Sequence, residues 1–198
     1  MNQFWNQRYA ENETVYGHHP NAYFKLKLDQ IKASTILLPA EGEGRNALYA
    51  ASSGWKVNAF DYSETAKEKA LANAIKNRVD FVYDVMDIDQ YKPMNQYQAV
   101  GLIYVHLPPA RRSVFHQKVI DSLMPGAILI MEAFSKAQLN HQSGGPKVIE
   151  ELYSKSDLIN DFKDIDIIEL EELEIVLDEG PFHQGKASVI RLFAKKKE

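Results

Sequence analysis

The run Ile36-Leu-Leu-Pro-Ala-Glu-Gly-Glu-Gly-Arg-Asn-Ala-Leu-Tyr-Ala-Ala51 constrains the fold more than any other part of the chain. A short apolar stretch leads into Gly42-Glu-Gly44, and a run with helical spacing follows at once. Past Gly54 comes a second apolar stretch, Trp55–Asp61, which ends in an acid. A strand, a glycine turn, a helix and a strand closing on a carboxylate form the nucleotide-binding half of an open α/β sheet. Glycine lets the backbone pass close to a ligand, and the start of the helix offers unpaired N–H groups. A carboxylate at the end of the next strand can accept hydrogen bonds from both hydroxyls of a ribose.

The same alternation continues. Residues 3–12 and 21–33 read as helices, the second opened by Pro20-Asn21. Strands follow at 35–39, 56–61, 79–83, 98–105 and 127–134, separated by helices over 45–53, 63–77 and 108–123. Ser63 reads as an N-cap. The strands at 98–105 and 127–134 are nearly all apolar, as central parallel strands buried on both faces must be. The last third changes character. A polar loop, 135–146, carries Gly144-Gly145-Pro146, and a short helix near 155–162 opens at Ser156-Asp157. Two long strands, 164–176 and 186–194, then lie so close in sequence that an antiparallel pairing is expected. The expected architecture is α/β: a Rossmann-like, doubly wound, seven-stranded and mostly parallel sheet with a C-terminal antiparallel hairpin.

At 198 residues the chain is expected to form one domain over 1–198, with the N-terminal helical segment 1–33 as a cap on the substrate side. A net charge of −4 argues against a nucleic-acid partner. The chain has no cysteine, which removes disulfides, thiolate nucleophiles and Cys-based metal sites and fits a cytoplasmic protein. The N-terminus lacks an apolar signal region, and no apolar run is long enough to span a bilayer, so no membrane partner is expected. The six histidines show no His-x-x-x-His or similar pairing, so no metal site is expected. No Gly-x-Ser-x-Gly nucleophile elbow is present.

Several motifs in order resemble the class I S-adenosylmethionine-dependent methyltransferases, and within them the tellurite-resistance (TehB-like) group. They are Gly42-Glu-Gly-Arg-Asn-Ala-Leu-Tyr-Ala-Ala51, Gly54-Trp-Lys-Val-Asn-Ala-Phe-Asp-Tyr-Ser63, His106-Leu-Pro-Pro-Ala-Arg111 and Met124-Pro-Gly126. Tyr16-Gly-His-His-Pro-Asn21 and Glu179-Gly-Pro-Phe-His-Gln-Gly-Lys-Ala187 extend the resemblance to nearly the whole chain. The chain departs from the pattern at Leu38 and Ala40, where such enzymes place an acid and a glycine.

The resemblance implies S-adenosylmethionine as cofactor, held by Glu41, Gly42, Gly44, Arg45, Asp61, Tyr62, Asp87, Ile88 and Tyr104. Asp61 would hold the ribose, and Asp87 with Ile88 the adenine. A solvated acidic turn is an equal reading of Asp84 and Asp87. For the substrate side the candidates are Tyr16, His106, Arg111 and His183, with Arg8, Tyr9, Phe182 and the 142–147 loop nearby. Gly144 and Gly145 would let that loop move as a lid. A histidine beside a Pro-Pro helix start is more often a structural hydrogen-bonder, and one of Arg111 and Arg112 is expected to be solvated. The expected activity is methyl transfer to a small molecule, such as a tellurium or selenium oxyanion or a thiol, without a nominated catalytic side chain. A cofactor-binding protein without turnover and a nicotinamide-dependent reductase remain alternatives.

Overall fold

A computed structural model describes the backbone of residues 2–198 and the side chains from Trp5 onward. Seven strands form one sheet in the order β3-β2-β1-β4-β5-β7-β6. In chain order they are β1 (Thr35–Pro39), β2 (Lys56–Asp61), β3 (Val82–Val85), β4 (Tyr97–Ile103), β5 (Leu123–Phe134), β6 (Asp166–Asp178) and β7 (Gln184–Lys195). The first five run parallel, and β7 lies antiparallel to both β5 and β6. The helices are α1 (Asn2–Glu11), α2 (Ala22–Leu28), α3 (Arg45–Ser52), α4 (Glu64–Asn77), α5 (Pro109–Asp121) and α6 (Lys155–Asp161). Among the described residues no helix is long and apolar enough to cross a membrane.

Each face of the sheet is covered by its own apolar layer. Phe24, Leu38, Ala47, Ala70 and Ile130 pack beneath α2, α3 and α4, while Phe115, Val119, Tyr153, Leu158 and Phe162 fill the face under α5 and α6. Strand β4 is buried on both sides, which explains its unbroken apolar sequence. Gly101 sits where a side chain would strike Leu38 at 2.7 Å and Phe24 at 2.9 Å, so helix α2 approaches the sheet closely only because that position is bare.

Several boundaries differ from the sequence expectation, for local reasons. Helix α2 stops at Leu28 because Gln30 and Ile31 donate to carbonyls three residues back, tightening the last turn. Strand β3 begins at Val82 because Arg78 is left-handed and Val79 N–H bonds to Ala74 O, so both residues close helix α4. Asp84 therefore lies inside a strand. Met124-Pro-Gly126 is an irregularity within β5, whose pairing to β4 shifts register there. Helix α6 is capped by Ser154 in a capping box with Asp157, two residues ahead of the expected start. Ser63 caps α4 as expected, accepting from Ala66 N–H at 3.1 Å.

The described part of the N-terminal segment divides between two places. Trp5, Arg8, Tyr9 and Tyr16 line a cavity, whereas α2 packs into the layer under the sheet.

Candidate functional site

The order in which successive strands are added to the sheet reverses between the parallel neighbours β1 and β4, and a cavity of about 450 Å³ opens there, at the carboxyl ends of the strands. Two non-glycine residues flank this switch point in left-handed conformation: Ala40 after β1 (φ 50°) and Tyr104 after β4 (φ 54°). Such backbone costs on the order of 1 kcal/mol and clusters at working sites.

The turn after β1 is built for close approach. Gly42 is left-handed, and a Cβ there would lie 2.7 Å from Tyr9 Oη. Its carbonyl accepts from Tyr83 Oη at 2.5 Å. Gly44 answers a different need and does not line the cavity. It is the left-handed N-cap of α3, and a Cβ would meet Ala70 at 2.6 Å. Because Gly44 has no side chain to cap the helix, Glu41 does so, accepting from Ala47 N–H at 2.7 Å and Asn46 Nδ2 at 3.3 Å. Burial pushes the Glu41 carboxyl up to about 7 despite these bonds.

Asp61, at the end of β2, is fixed from two sides. Its Oδ2 accepts from Gly42 N–H at 3.2 Å and its Oδ1 from Ser63 N–H at 2.9 Å. Burial pushes this carboxyl up to about 6, with those backbone bonds pulling the other way. Tyr62 also lines this cavity, and its hydroxyl is buried without a hydrogen-bond partner among the described residues. At the other end lie Asp87 and Ile88. Asp87 Oδ1 is already engaged, by Asp89 N–H at 2.9 Å and Arg111 Nη2 at 3.0 Å. Arg111 also holds Asp89 through Nε at 3.0 Å, so a free Arg111 for an anionic substrate is not what the fold provides. Arg112 leaves the site altogether, bonding Asp161 at 2.7 Å between α5 and α6.

Four aromatic rings form the remaining wall. His183 stands with its ring centre 4.4 Å from Tyr16, 4.5 Å from Tyr104 and 5.1 Å from Phe134. His106 lines the cavity, but both nitrogens are spent: Phe134 N–H donates to Nε2 at 3.2 Å, so Nδ1 donates to Glu151 O at 2.8 Å. Burial lowers its pKa to about 4. A polar contact from His106 to a substrate is thus replaced by a structural role. Arg45 likewise turns away from a ligand role. It donates to Tyr16 O at 3.0 Å and to Glu179 Oε2 at 2.9 Å, clamping the N-terminal loop to the turn after β6.

Trp5, Asn46, Phe134 and Glu151 line the cavity without having been singled out from the sequence. The rule that strand carboxyl ends face the crevice would have found Phe134; nothing local marks Trp5. Gly145 and Pro146 reach the site too. Their loop is tied down, since Ser143 Oγ donates to Lys186 O at 2.6 Å and Gln138 Nε2 donates to Ser143 Oγ and Gly144 O. Gly145 lies flat on Phe134, where a Cβ would sit 2.7 Å from the ring, so its freedom is used for packing.

No family model matches the chain. Over 123 residues, 57% of this chain, it is 31% identical to a tRNA (uracil(54)-C(5))-methyltransferase of Pyrococcus horikoshii, and the chain spans 28% of that relative's length. Among solved structures it is similar to one of the conversion of a disulfide bond into a thioacetal group during echinomycin biosynthesis, with TM-score 0.77, 17% identity and 100% of this chain and 92% of that one covered. TehB from Haemophilus influenzae gives 0.76 at 17% identity, covering 99% and 67%. The N-methyltransferase NodS from Bradyrhizobium japonicum WM9 in complex with S-adenosyl-L-homocysteine gives 0.73 at 11%, covering 100% and 98%. Likeness at these identities shows the fold: the chain has the Rossmann-like architecture of the class I methyltransferases, with the antiparallel pair at its C-terminal edge.

Proposed function

We propose that this chain transfers a methyl group from S-adenosylmethionine to a small acceptor. The observation that carries the reading is Asp61, whose two oxygens are each anchored by a backbone N–H and border the cavity at the switch point. A carboxylate so fixed meets a vicinal diol without reorganising.

Other features fit the same cofactor. The bare Gly42 lets the turn after β1 pack directly on Tyr9, whose hydroxyl a Cβ would strike at 2.7 Å, and so holds that turn at the cavity edge. The cavity volume lies in the range of small-molecule sites, roughly 300–1,000 Å³. The cofactor, when bound, supplies a methyl already activated on its sulfonium. The protein's part is then alignment and exclusion of water, for which Tyr16, Tyr104, Phe134 and His183 provide an aromatic wall.

Covering by α1 and Tyr16 favours a small acceptor, and a net charge of −4 disfavours a nucleic-acid one. The likeness to TehB supports a tellurium or selenium oxyanion as one candidate, with thiols as another. The cysteine-free sequence is consistent with a cytoplasmic site of action.

Isothermal titration of S-adenosylmethionine and S-adenosylhomocysteine into wild type and Asp61→Ala tests the reading. Micromolar binding to wild type, weakened at least about tenfold in Asp61→Ala with little change in melting temperature, is expected. Absence of binding in folded wild type, or equal affinity in the variant, would overturn it. A parallel titration with nicotinamide dinucleotides separates the reductase alternative.

A further inference from the structure

We propose that Glu179 and His183 form a general-base dyad, and that the acceptor is an uncharged protic compound, a thiol or phenol, whose proton passes to His183 Nε2. The proposal rests on the methyl-transfer reading above and adds to it a base and an acceptor class.

The dyad sits on the turn between β6 and β7. Glu179 N–H donates to His183 O at 2.9 Å, and His183 N–H donates to Gly180 O at 3.2 Å, so the two side chains are held on one rigid loop. Glu179 Oε2 accepts from Arg45 Nη2 at 2.9 Å and lies 3.4 Å from His183 Nδ1, while Oε1 accepts from Asn21 Nδ2 at 3.1 Å. Those partners outweigh burial and hold the Glu179 carboxyl at about 2. A carboxylate against Nδ1 places the ring proton there and leaves Nε2 as a bare lone pair. His183 Nε2 has no hydrogen-bond partner among the described residues, and the ring borders the cavity. Gly144 backs onto the ring edge, where a Cβ would lie 2.7 Å from Cδ2 and 3.3 Å from Nε2, so the bare glycine keeps Nε2 from being covered. His106, the other histidine of the cavity, has no lone pair to spare.

The charges facing His183 are Glu179 on its own turn, Arg45 on α3, Glu132 on β5 and, as a neutral ring, His106 after β4; Tyr16 and Tyr104 add phenols. Burial lowers the pKa of His183, with Glu179 opposing, so the ring is a neutral base at neutral pH. Arg45 and Arg111 are both committed to carboxylates, and Arg8, the third arginine of the lining, lies over the rings of Trp5 and Phe182 at 4.9 and 4.7 Å and bonds Tyr16, so each cation at the cavity is already engaged and an uncharged acceptor suits this wall better than an oxyanion. In the step, the acceptor's X–H proton goes to Nε2 and an X–CH3 bond forms. The donor's C–S bond breaks with its electron pair left on sulfur, and the imidazolium then returns its proton to solvent.

Nitrogen NMR of imidazole-labelled protein reads the tautomer without any ligand. A protonated Nδ1 and bare Nε2 at His183, lost in Glu179→Gln, is expected; an Nε2–H in wild type overturns the dyad. Transfer of labelled methyl from S-adenosylmethionine to dithiothreitol, catechol, selenite and tellurite reads the acceptor class. The neutral pair should be methylated, and His183→Ala should lower kcat/KM by about 100-fold or more while S-adenosylhomocysteine affinity is kept. The acid limb of the pH profile should vanish in that variant. His183→Gln, which keeps a polar side chain, should show the same loss if His183→Ala folds poorly. Preference for the oxyanions, transfer to none of the four, or wild-type rates in the variants overturns the proposal. If wild type binds no S-adenosylhomocysteine, the cofactor reading falls instead, which the tautomer spectrum distinguishes.

Discussion

Glu41 and Asp61 are buried acids whose carboxyls sit above their ordinary range, at about 7 and about 6. A carboxyl raised on folding contributes stability below its unfolded value and loses it as pH climbs to the folded one. For Glu41 that window runs from 4.5 to about 7, a loss on the order of 3 kcal/mol. Glu41→Gln keeps an acceptor for Ala47 N–H and cannot ionise. Thermal melts of this variant above neutral pH should therefore exceed wild type, and the decline between acid and neutral pH should flatten. A lower melting temperature for Glu41→Gln at every pH would contradict the raised carboxyl. Ala40 offers a second test at this scale. Its φ of 50° suits glycine, so Ala40→Gly should be tolerated or stabilising by up to about 1 kcal/mol in denaturant titration. Positions 42 and 61 were readable because glycine and a strand-terminal acid carry their reasons locally. The roles of Arg45, Arg111 and His106 were not, because each depends on a partner distant in sequence: Glu179, Asp87 with Asp89, and Glu151 with Phe134.

Helix α3 begins at a left-handed glycine pressed on helix α4. Gly44→Ala places a Cβ 2.6 Å from Ala70 in an unfavourable φ of 80°, and should destabilise by about 2–3 kcal/mol. Gly54→Ala shares a positive φ, but its nearest neighbour is 3.9 Å away, so it should cost only about 1 kcal/mol. Equal costs in denaturant unfolding would deny the α3–α4 packing its part. At the far edge, β6 carries Glu169, Glu171, Glu172 and Glu174 on a strand with one open side. Charge along such an edge discourages pairing with another strand.

Across the whole molecule, one ionic network joins segments far apart in sequence. Arg45 and Glu179 form an ion pair with both side chains largely buried, and Asn21 bridges Glu179 to Glu132, which also binds Arg191 at 2.6 Å. Removing one partner strands the other in a poorly solvated site. Arg45→Ala should cost about 3 kcal/mol, and hydrogen exchange should quicken together around residues 15–21 and 179–183. Fast exchange at only one of the two would mean that Arg45 does not couple them.

The sequence alone determined the alternation of strands and helices, the central strands, the glycine turn with Asp61, and the C-terminal hairpin. Periodicity, turn chemistry and a fixed order of motifs are local properties of the chain. The tertiary structure decided which candidates remain open to a ligand. Burial and pairing are set by residues brought together from far apart, and they spent Arg45, Arg111 and both nitrogens of His106 on the protein itself while leaving Asp61, Tyr62 and His183 lining the cavity.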